Sequence, residues 1–212
     1  MNYVFKNRIE AAKILATQLK KYRHEHCVVL TLPRGGVPIG YIVSEYLHCP
    51  LDLIFAKKLG HPFNKEYAIG AATLSDYFIS PHEKILDVYI QEELKVIRKR
   101  LIEMKTKFLG NKTPEDLEDK IVIIVDDVIA TGNSLIAAIQ QIRKSYPKKI
   151  IIAAPVGAKS TLAKLMPFAD EIISLISPSN LHAIGDYYED FEQISDDEVH
   201  KFLTKKEDKL LA

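Results

Sequence analysis

The run of five aliphatic residues from Ile121 to Val125 constrains the fold more than any other segment of the 212-residue chain. A strand that is apolar on both faces is typical of a parallel sheet covered by helices on both sides. Similar short apolar runs predict further strands, giving the set 27–32, 51–56, 121–125, 150–154 and 171–176. Because helical patterns alternate with these strands, the sequence predicts an α/β fold with a mostly parallel sheet flanked by helices.

Stretches with helical spacing lie between the predicted strands. Asn7 and Glu10 fit a capping box at the start of the first of them. In another, apolar residues recur every three or four positions from Ile90 to Phe108, the pattern of a long amphipathic helix. Its apolar face is expected to pack against the core or against a second subunit, as in a homodimer. The helices are expected within 7–19, 37–47, 90–108, 134–145 and 159–166, with a loop at 57–66 and a hairpin within 68–80.

The composition changes after the last predicted strand. Three aromatic residues, Tyr187, Tyr188 and Phe191, stand there among acidic ones. Aromatic residues in such a setting more often pack a terminal segment than stack on a ligand, and we favour that interpretation. The alternative is a hood in which they stack on a base. Since no clear linker precedes this segment, residues 1–212 are expected to form one domain, with residues 177–204 as a small C-terminal cap or hood.

Charge and composition exclude several classes of partner. The formal net charge is +1, from 29 basic and 28 acidic residues, whereas nucleic-acid binding requires an excess of Lys and Arg. No apolar run approaches the ~20 residues needed to cross a bilayer, and residues 1–8 lack the apolar core of a signal peptide. We therefore expect a cytoplasmic protein that binds neither nucleic acid nor membrane.

The segment that follows the aliphatic run carries the most chemical information. Asp126 and Asp127 stand at the carboxyl end of the predicted strand, where ligands bind in open α/β sheets. Adjacent carboxylates are costly there unless they meet hydroxyls, cations or water. Residues 130–134, Ala-Thr-Gly-Asn-Ser, then lead into a helix whose first N–H groups would hold a phosphate. Together these features indicate a site for a phosphorylated polyol.

Other interpretations of the same residues stay open at this point. An Asp–Asp pair after an apolar strand also occurs in magnesium-dependent phosphatases and receiver domains, although these leave the Thr-Gly-x-Ser pattern of 131–134 unexplained. The pair is also compatible with a capped strand end followed by an ordinary turn. The nucleotide-binding pattern GxxxxGK[ST] and the dinucleotide fingerprint GxGxxG are both absent.

Residues 125–134 resemble the signature for phosphoribosyl pyrophosphate (PRPP) in type I phosphoribosyltransferases. The resemblance covers residues 6–204. Four further segments are similar to an uncharacterised bacterial branch of that family, namely 32–38, 57–60, 68–71 and 183–191. The resemblance implies the type I fold, an α/β domain with a mostly parallel sheet and a small C-terminal hood.

The resemblance also implies roles for individual residues. Asp126 and Asp127 match the carboxylates that hold the ribose 2′- and 3′-hydroxyls, and Asp127 is expected to contact Mg²⁺, the implied cofactor, through water. The residues that match the loop around the 5′-phosphate are Ala130, Thr131, Gly132, Asn133 and Ser134. Those that match diphosphate-binding positions are Arg34, Gly35, Gly36, Lys57 and Lys58. The catalytic residues are expected to be Asp126, Asp127 and Lys58.

The function implied by the resemblance is transfer of the 5-phosphoribosyl group from PRPP to a nitrogenous base, with release of pyrophosphate. Ala130 stands where the 6-oxopurine enzymes carry an acidic general base, so the acceptor base is not identified. The alternative is a PRPP-binding regulatory or sensing protein without catalysis. A third interpretation, a phosphatase or phosphorylase of ribose phosphates, is the least favoured.

Overall fold

A parallel sheet brings together the ends of strands that are distant in sequence. The computed structural model describes residues 5–81, 84–181 and 183–210, so residues 1–4 of the N-terminal segment considered above lie outside it. The strands are β1 (Cys27–Thr31), β2 (Leu51–Leu53), β3 (Ala56–His61), β4 (Asn64–Thr73), β5 (Tyr77–Ile79), β6 (Ile121–Val125), β7 (Val128–Ile129), β8 (Lys149–Gly157) and β9 (Glu171–Ile176). The α-helices are α1 (Arg8–Gln18), α2 (Gly36–Leu47), α3 (Asp87–Leu109), α4 (Asn133–Arg143), α5 (Lys159–Leu165) and α6 (Asp196–Leu210).

The main sheet has the strand order β2–β1–β6–β8–β7, and β9 also pairs with β8. All of these pairs are parallel. Thr31 is in register with Val125, and Val125 is in register with Ala153. The carboxyl ends of β1 and β6 therefore lie side by side at one edge of the sheet, which we call the carboxyl edge. The prediction of a mostly parallel α/β sheet is confirmed.

Helices cover both faces of this sheet, as the consecutive apolar residues of β6 predict. Ile121, Ile123 and Val125 belong to a core that includes α1, α2, α3 and α6. Val122 and Ile124 belong to a second core that includes α4 and the end of α5. The apolar stripe of α3 is buried in the first core. Its interpretation as a core-packing face is confirmed, while the homodimer stays a prediction.

The segment expected to be a loop at 57–66 forms most of a β-hairpin instead. β3 and β4 are antiparallel, with Lys58 opposite Ala71, and β5 adds a third strand. This three-stranded sheet packs against α3 and α4. The loop prediction was wrong because exposed lysines and Pro62 hide the strand pattern, while Leu59 alone of its large apolar residues is buried. The hairpin expected within 68–80 is confirmed by β4 and β5.

The chain after β9 returns to its first described residues. Phe5 forms a parallel bridge with Tyr188, and their ring centroids are 5.4 Å apart. Tyr188 is buried, which confirms the packing interpretation for this residue. Helix α6, which the sequence analysis did not predict, packs against α2 and α3. The assignment of residues 1–212 to one domain stays a prediction. None of the helices in the described residues combines the length and apolar character that crossing a membrane requires.

Candidate active site

The carboxyl edge gathers two of the segments that the sequence analysis singled out. Because Thr31 and Val125 end neighbouring strands in register, segments 32–36 and 126–127 leave the sheet side by side. They line an open cavity of about 490 Å³. Of the residues expected to bind PRPP, those that line this cavity are Arg34, Gly35, Asp126, Asp127 and Ser134.

The two glycines after β1 are required by the close approach of the carboxylate segment. A Cβ on Gly35 would lie 2.0 Å from Asp127 Oδ2, and a Cβ on Gly36 would lie 2.9 Å from the Val125 carbonyl oxygen. The first distance is far inside van der Waals contact, and the second is also too short. Gly35 therefore lets its backbone approach the Asp127 side chain, and Gly36 lets its backbone approach that of Val125. This steric role was not anticipated from the sequence.

The two adjacent carboxylates have different surroundings. Asp126 Oδ1 accepts a hydrogen bond of 2.9 Å from the backbone N–H of Asp127. Burial raises the pKa of Asp126 well above its ordinary value, and the nearby Asp127 carboxylate raises it further. Asp127, in contrast, has a cationic partner. Both side chains line the cavity, and the oxygens of both can accept hydrogen bonds from hydroxyl groups.

Arg8, in the first turn of α1, is the cationic partner of Asp127. Its Nε donates to Asp127 Oδ2 at 3.0 Å, and its Nη2 lies 3.0 Å from the same oxygen. Its Nη1 donates to the Glu192 carbonyl oxygen at 2.7 Å. The side chains of Arg8 and Asp127 are only 9% and 16% exposed, so this ion pair is largely desolvated. Arg8 was not predicted as a site residue, because the local sequence of α1 shows only its cap and its apolar positions and not the distant Asp127.

Aromatic residues of the C-terminal segment support this ion pair. The Arg8 guanidinium lies 3.6 Å from the centroid of the Phe191 ring, and the Phe191 and Tyr188 centroids are 4.7 Å apart. The Tyr188 hydroxyl donates to the Asp127 carbonyl oxygen at 3.1 Å. Burial raises the pKa of Tyr188, so this hydroxyl keeps its proton. One face of Phe191 is already covered by Arg8 and is not open to a ligand.

Residues 130–134, which we call the phosphate loop, lead from β7 into α4. Gly132 precedes the helix with a φ of 74°, in the left-handed region that favours glycine. Within the part of the chain that the structure describes, the backbone N–H groups of residues 131–134 have no hydrogen-bond partner. Free N–H groups at the start of a helix are suited to binding an anion.

The basic residues expected at the diphosphate are only partly brought together. Arg34 also lines a second cavity, of about 460 Å³, beside Lys57 and Arg100. Its Nη1 lies 3.5 Å from a carboxylate oxygen of Asp196. Lys58 is exposed, pairs with Glu66 at 2.7 Å and lines neither of the two cavities that contain Arg34. Lys57 therefore shares a cavity with Arg34, whereas Lys58 does not share either of these two cavities.

The donor set at the cavity fits a Mg²⁺ ion that arrives with a phosphorylated ligand. Among the described residues, no cluster of three or more His, Cys, Asp or Glu side chains could hold a metal ion. Asp126 and Asp127 supply carboxylate oxygens, but Arg8 already binds one of them. Mg²⁺ prefers water and phosphate oxygens with one or two carboxylates, so contact of Asp127 with the ion through water suits this geometry.

Comparison with known proteins identifies the family. Residues 5–191 match the model of the phosphoribosyl transferase domain. The chain belongs to the phosphoribosyltransferase family. The matched region of this phosphoribosyltransferase domain begins before Arg8 and ends at Phe191, and it includes both carboxylates and the phosphate loop.

Individual relatives agree with this assignment. A protein of Mycobacterium tuberculosis, Rv0571c, which is provisionally named a phosphoribosyl transferase, is 35% identical over 207 residues, or 95% of this chain. The chain spans about half the length of that relative, 47%. A 50-residue segment is 46% identical to uracil phosphoribosyltransferase of Legionella pneumophila, over 22% of this chain and 23% of that protein. The crystal structure of TT1426 from Thermus thermophilus aligns with a TM-score of 0.81 and 30% identity, covering 95% of this chain and 98% of that one.

Proposed function

We propose that this domain transfers the 5-phosphoribosyl group of PRPP to a nitrogen of a base and releases diphosphate. The observation that carries the proposal is the placement of Asp126 and Asp127 at the same sheet edge as the phosphate loop. Paired carboxylates suit two vicinal hydroxyls, and the free N–H groups of residues 131–134 suit a terminal phosphate. A ribose 5-phosphate group carries both functions. Membership of the phosphoribosyltransferase family supports the same donor.

The proposed reaction exchanges one bond at C1 of the ribose for another. The bond from C1 to the diphosphate oxygen breaks, and the diphosphate leaves with the electron pair. A bond from C1 to the base nitrogen forms, and that nitrogen releases its proton to solvent. The transition state is expected to resemble an oxocarbenium ion, as at other glycosidic centres. Holding the sugar at its hydroxyls and at its 5′-phosphate fixes C1 for this exchange.

The cations around the cavity have separate tasks in this proposal. Arg8 fixes the orientation of Asp127 towards the ribose hydroxyls. Arg34 lines both the cavity of the carboxylates and the second cavity, which Lys57 also lines, and these two residues are assigned to the diphosphate. The catalytic role of Lys58 stays a prediction from the family resemblance. When bound, Mg²⁺ would neutralise charge on the leaving diphosphate.

The acceptor base is to be identified by testing a panel of candidate bases, because the fold does not specify it. Uracil is the first base to test, because the relatives that match part of the chain are named uracil phosphoribosyltransferases. Adenine is the second, because the sequence Ala-Thr-Gly at residues 130–132 is similar to that of the adenine enzymes. Hypoxanthine, guanine and orotate complete the panel. Since Ala130 cannot act as a base, hypoxanthine and guanine are expected to be poor acceptors.

Diphosphate release measured with PRPP, Mg²⁺ and each base tests the proposal. We expect release that depends on one of the bases and is abolished in Asp126→Asn. Calorimetric binding of PRPP without turnover on any base would instead support the regulatory alternative. Absence of PRPP binding by the wild-type protein would reject both.

A further inference from the structure

Helix α5 holds the phosphate loop by the loop's carbonyl and side-chain oxygens. Thr161 Oγ1 donates to the Ala130 carbonyl oxygen at 2.5 Å. Lys164 Nζ donates to the Asn133 side-chain oxygen Oδ1 at 2.6 Å and to the Thr131 carbonyl oxygen at 3.4 Å. Three of the five loop residues, Ala130, Thr131 and Asn133, are thus tied to one short helix. None of these contacts was anticipated from the sequence, which placed 159–166 only as a helix.

These contacts determine where the free N–H groups of the loop point. In a trans peptide unit, the carbonyl group and the following N–H group point in opposite directions. Because α5 holds the Ala130 carbonyl, the N–H of Thr131 is directed away from α5. Because α5 also holds the Thr131 carbonyl, the N–H of Gly132 is directed away in the same manner. Helix α5 therefore binds the carbonyl oxygens of the loop and leaves the backbone N–H groups of the loop available to a ligand.

Lys164 brings a positive charge to the loop, and no carboxylate of the described residues balances it. Its hydrogen-bond partners are neutral oxygens, and the described residues give it no ion pair. The Phe78 ring centroid lies 5.8 Å from its Nζ. The side chain is exposed for much of its length, yet desolvation by the protein around it lowers the pKa of its ammonium group. An anion bound to the loop would supply the missing counter-charge.

We propose that Lys164 is a positioning residue of the 5′-phosphate site, which turns the carbonyl oxygens of the phosphate loop away from the ligand and balances the charge of the bound phosphate. This inference rests on the proposed function, because the phosphate is that of the phosphoribosyl group. It assigns a lysine on α5 to a site whose other groups are backbone amides and hydroxyls. It also separates the two charged ends of PRPP, since Lys164 serves the 5′-phosphate and not the diphosphate.

Binding of three probes to matched variants tests the role of Lys164. The probes are PRPP, ribose 5-phosphate and inorganic diphosphate, each titrated calorimetrically in the presence of Mg²⁺. The variants are Lys164→Met, Lys164→Arg and the control Lys159→Met, which removes another exposed lysine of α5. We expect Lys164→Met to weaken binding of PRPP and ribose 5-phosphate about tenfold, because one positive charge near the phosphate and the hydrogen bonds that orient the loop are lost together, and to leave binding of inorganic diphosphate unchanged. Lys164→Arg should restore most of the affinity.

The outcomes distinguish this inference from the proposed function. If the wild-type protein binds neither PRPP nor ribose 5-phosphate, the proposed function is wrong and the inference with it. If the wild-type protein binds both and Lys164→Met behaves like Lys159→Met, the inference alone is wrong. Equal losses for ribose 5-phosphate and diphosphate also overturn it, because they indicate a general disturbance of the site. Thermal unfolding of Lys164→Met and Lys164→Arg shows whether each variant is folded, and the arginine variant keeps the test decisive if the methionine variant is not.

Discussion

Arg8 Nε and Asp127 Oδ2 lie 3.0 Å apart and join the first turn of α1 to the end of β6. The same guanidinium binds the Glu192 carbonyl oxygen and covers one face of Phe191. The carboxylate assigned to ribose is thereby held in one orientation before any ligand arrives. Such preorganisation reduces the cost of ordering the site during the reaction.

Replacement of Arg8 tests this role. Arg8→Met leaves the Asp127 carboxylate without its partner in a largely desolvated place. We expect the free energy of unfolding to fall by about 3 kcal/mol, as for other broken buried ion pairs, and the KM for PRPP to rise. Urea denaturation and initial-rate kinetics measure the two effects. Lys13→Met, an exposed change on the same helix, is the control, and equal stability of the two variants would contradict the prediction.

Gly35 is predicted to be intolerant of any side chain. In Gly35→Ala the new Cβ would fall 2.0 Å from Asp127 Oδ2, which forces the carboxylate or the loop to move. Because small displacements of positioning groups are costly, we expect activity to fall about 100-fold. The control is Gly185→Ala, where nothing lies within 4 Å of the added Cβ. Steady-state kinetics of both variants tests this prediction. Full activity in Gly35→Ala would show that the site tolerates the displacement of the Asp127 carboxylate or of the loop.

Asp126 is predicted to matter for turnover and not for folding. Asp126→Asn keeps an oxygen that can accept the hydrogen bond from the Asp127 N–H, but it loses the charge and the basicity. Since burial disfavours the ionised form of Asp126, removing that charge should not lower the melting temperature. We expect kcat/KM to fall at least ~100-fold, in the range for acid–base and charged contacts. Normal turnover would contradict the assignment of this carboxylate.

The two neighbouring lysines of β3 are predicted to differ. Lys57 shares a cavity with Arg34, whereas Lys58 is paired with Glu66. We expect Lys57→Gln to raise the KM for PRPP roughly tenfold, as for one charge-assisted phosphate contact, and Lys58→Gln to have the smaller effect. Kinetics at varied PRPP concentration compares them. A larger loss of kcat in Lys58→Gln would instead support the catalytic role that the family resemblance implies.

A pH-dependent contribution to stability is predicted far from the site, where Glu171 accepts hydrogen bonds from Lys21 and Tyr22. Burial alone would raise the pKa of Glu171, but these two donors outweigh it and lower the pKa. The folded protein therefore binds this proton less tightly than the unfolded chain. The stabilisation is complete above the ordinary pKa of a glutamate and is lost as the pH falls through the lowered value.

Glu171→Gln measures that contribution. We expect it to destabilise the protein by about 1 kcal/mol at neutral pH, the usual size for such hydrogen bonds, and by less as the carboxylate becomes protonated in acid. Urea denaturation at several pH values gives the difference from wild type. Glu25→Gln, which removes a carboxylate 3.7 Å from Lys148, is the exposed control. A difference that does not shrink in acid would contradict the assignment to charge.

The order of strands and helices was predictable because burial leaves a periodic trace in the sequence. The consecutive aliphatic residues of β6 show a strand that is buried on both faces, and the apolar stripe of α3 shows a helix that is buried on one face. The hairpin at β3 lacked such a pattern, since two adjacent lysines, the half-buried Lys57 and the exposed Lys58, interrupt it and their pairing partners lie further along the chain. Helix α6 was missed because its acidic start resembles any solvated segment.

The candidate site was predictable where chemistry is concentrated in consecutive residues. Asp126, Asp127 and the phosphate loop form such a cluster. Arg8 and Lys164 could not be predicted in the same way, because each acts through tertiary contacts with residues far along the chain. Their local sequences are those of ordinary helices, in which a basic residue is normally solvated. Only the folded chain shows that one binds a carboxylate and the other a loop carbonyl.

The contacts of Arg8 also bear on the order in which the protein folds. Arg8 is separated by 119 positions from Asp127 and by 184 positions from Glu192. Contacts between residues so distant in sequence require the closure of long loops, which costs chain entropy. During synthesis, α1 leaves the ribosome long before the segments that it must meet. The carboxylate site is therefore complete only when residues 8, 127 and 192 have come together, so the arrangement of Asp127 depends on parts of the chain that lie 184 positions apart.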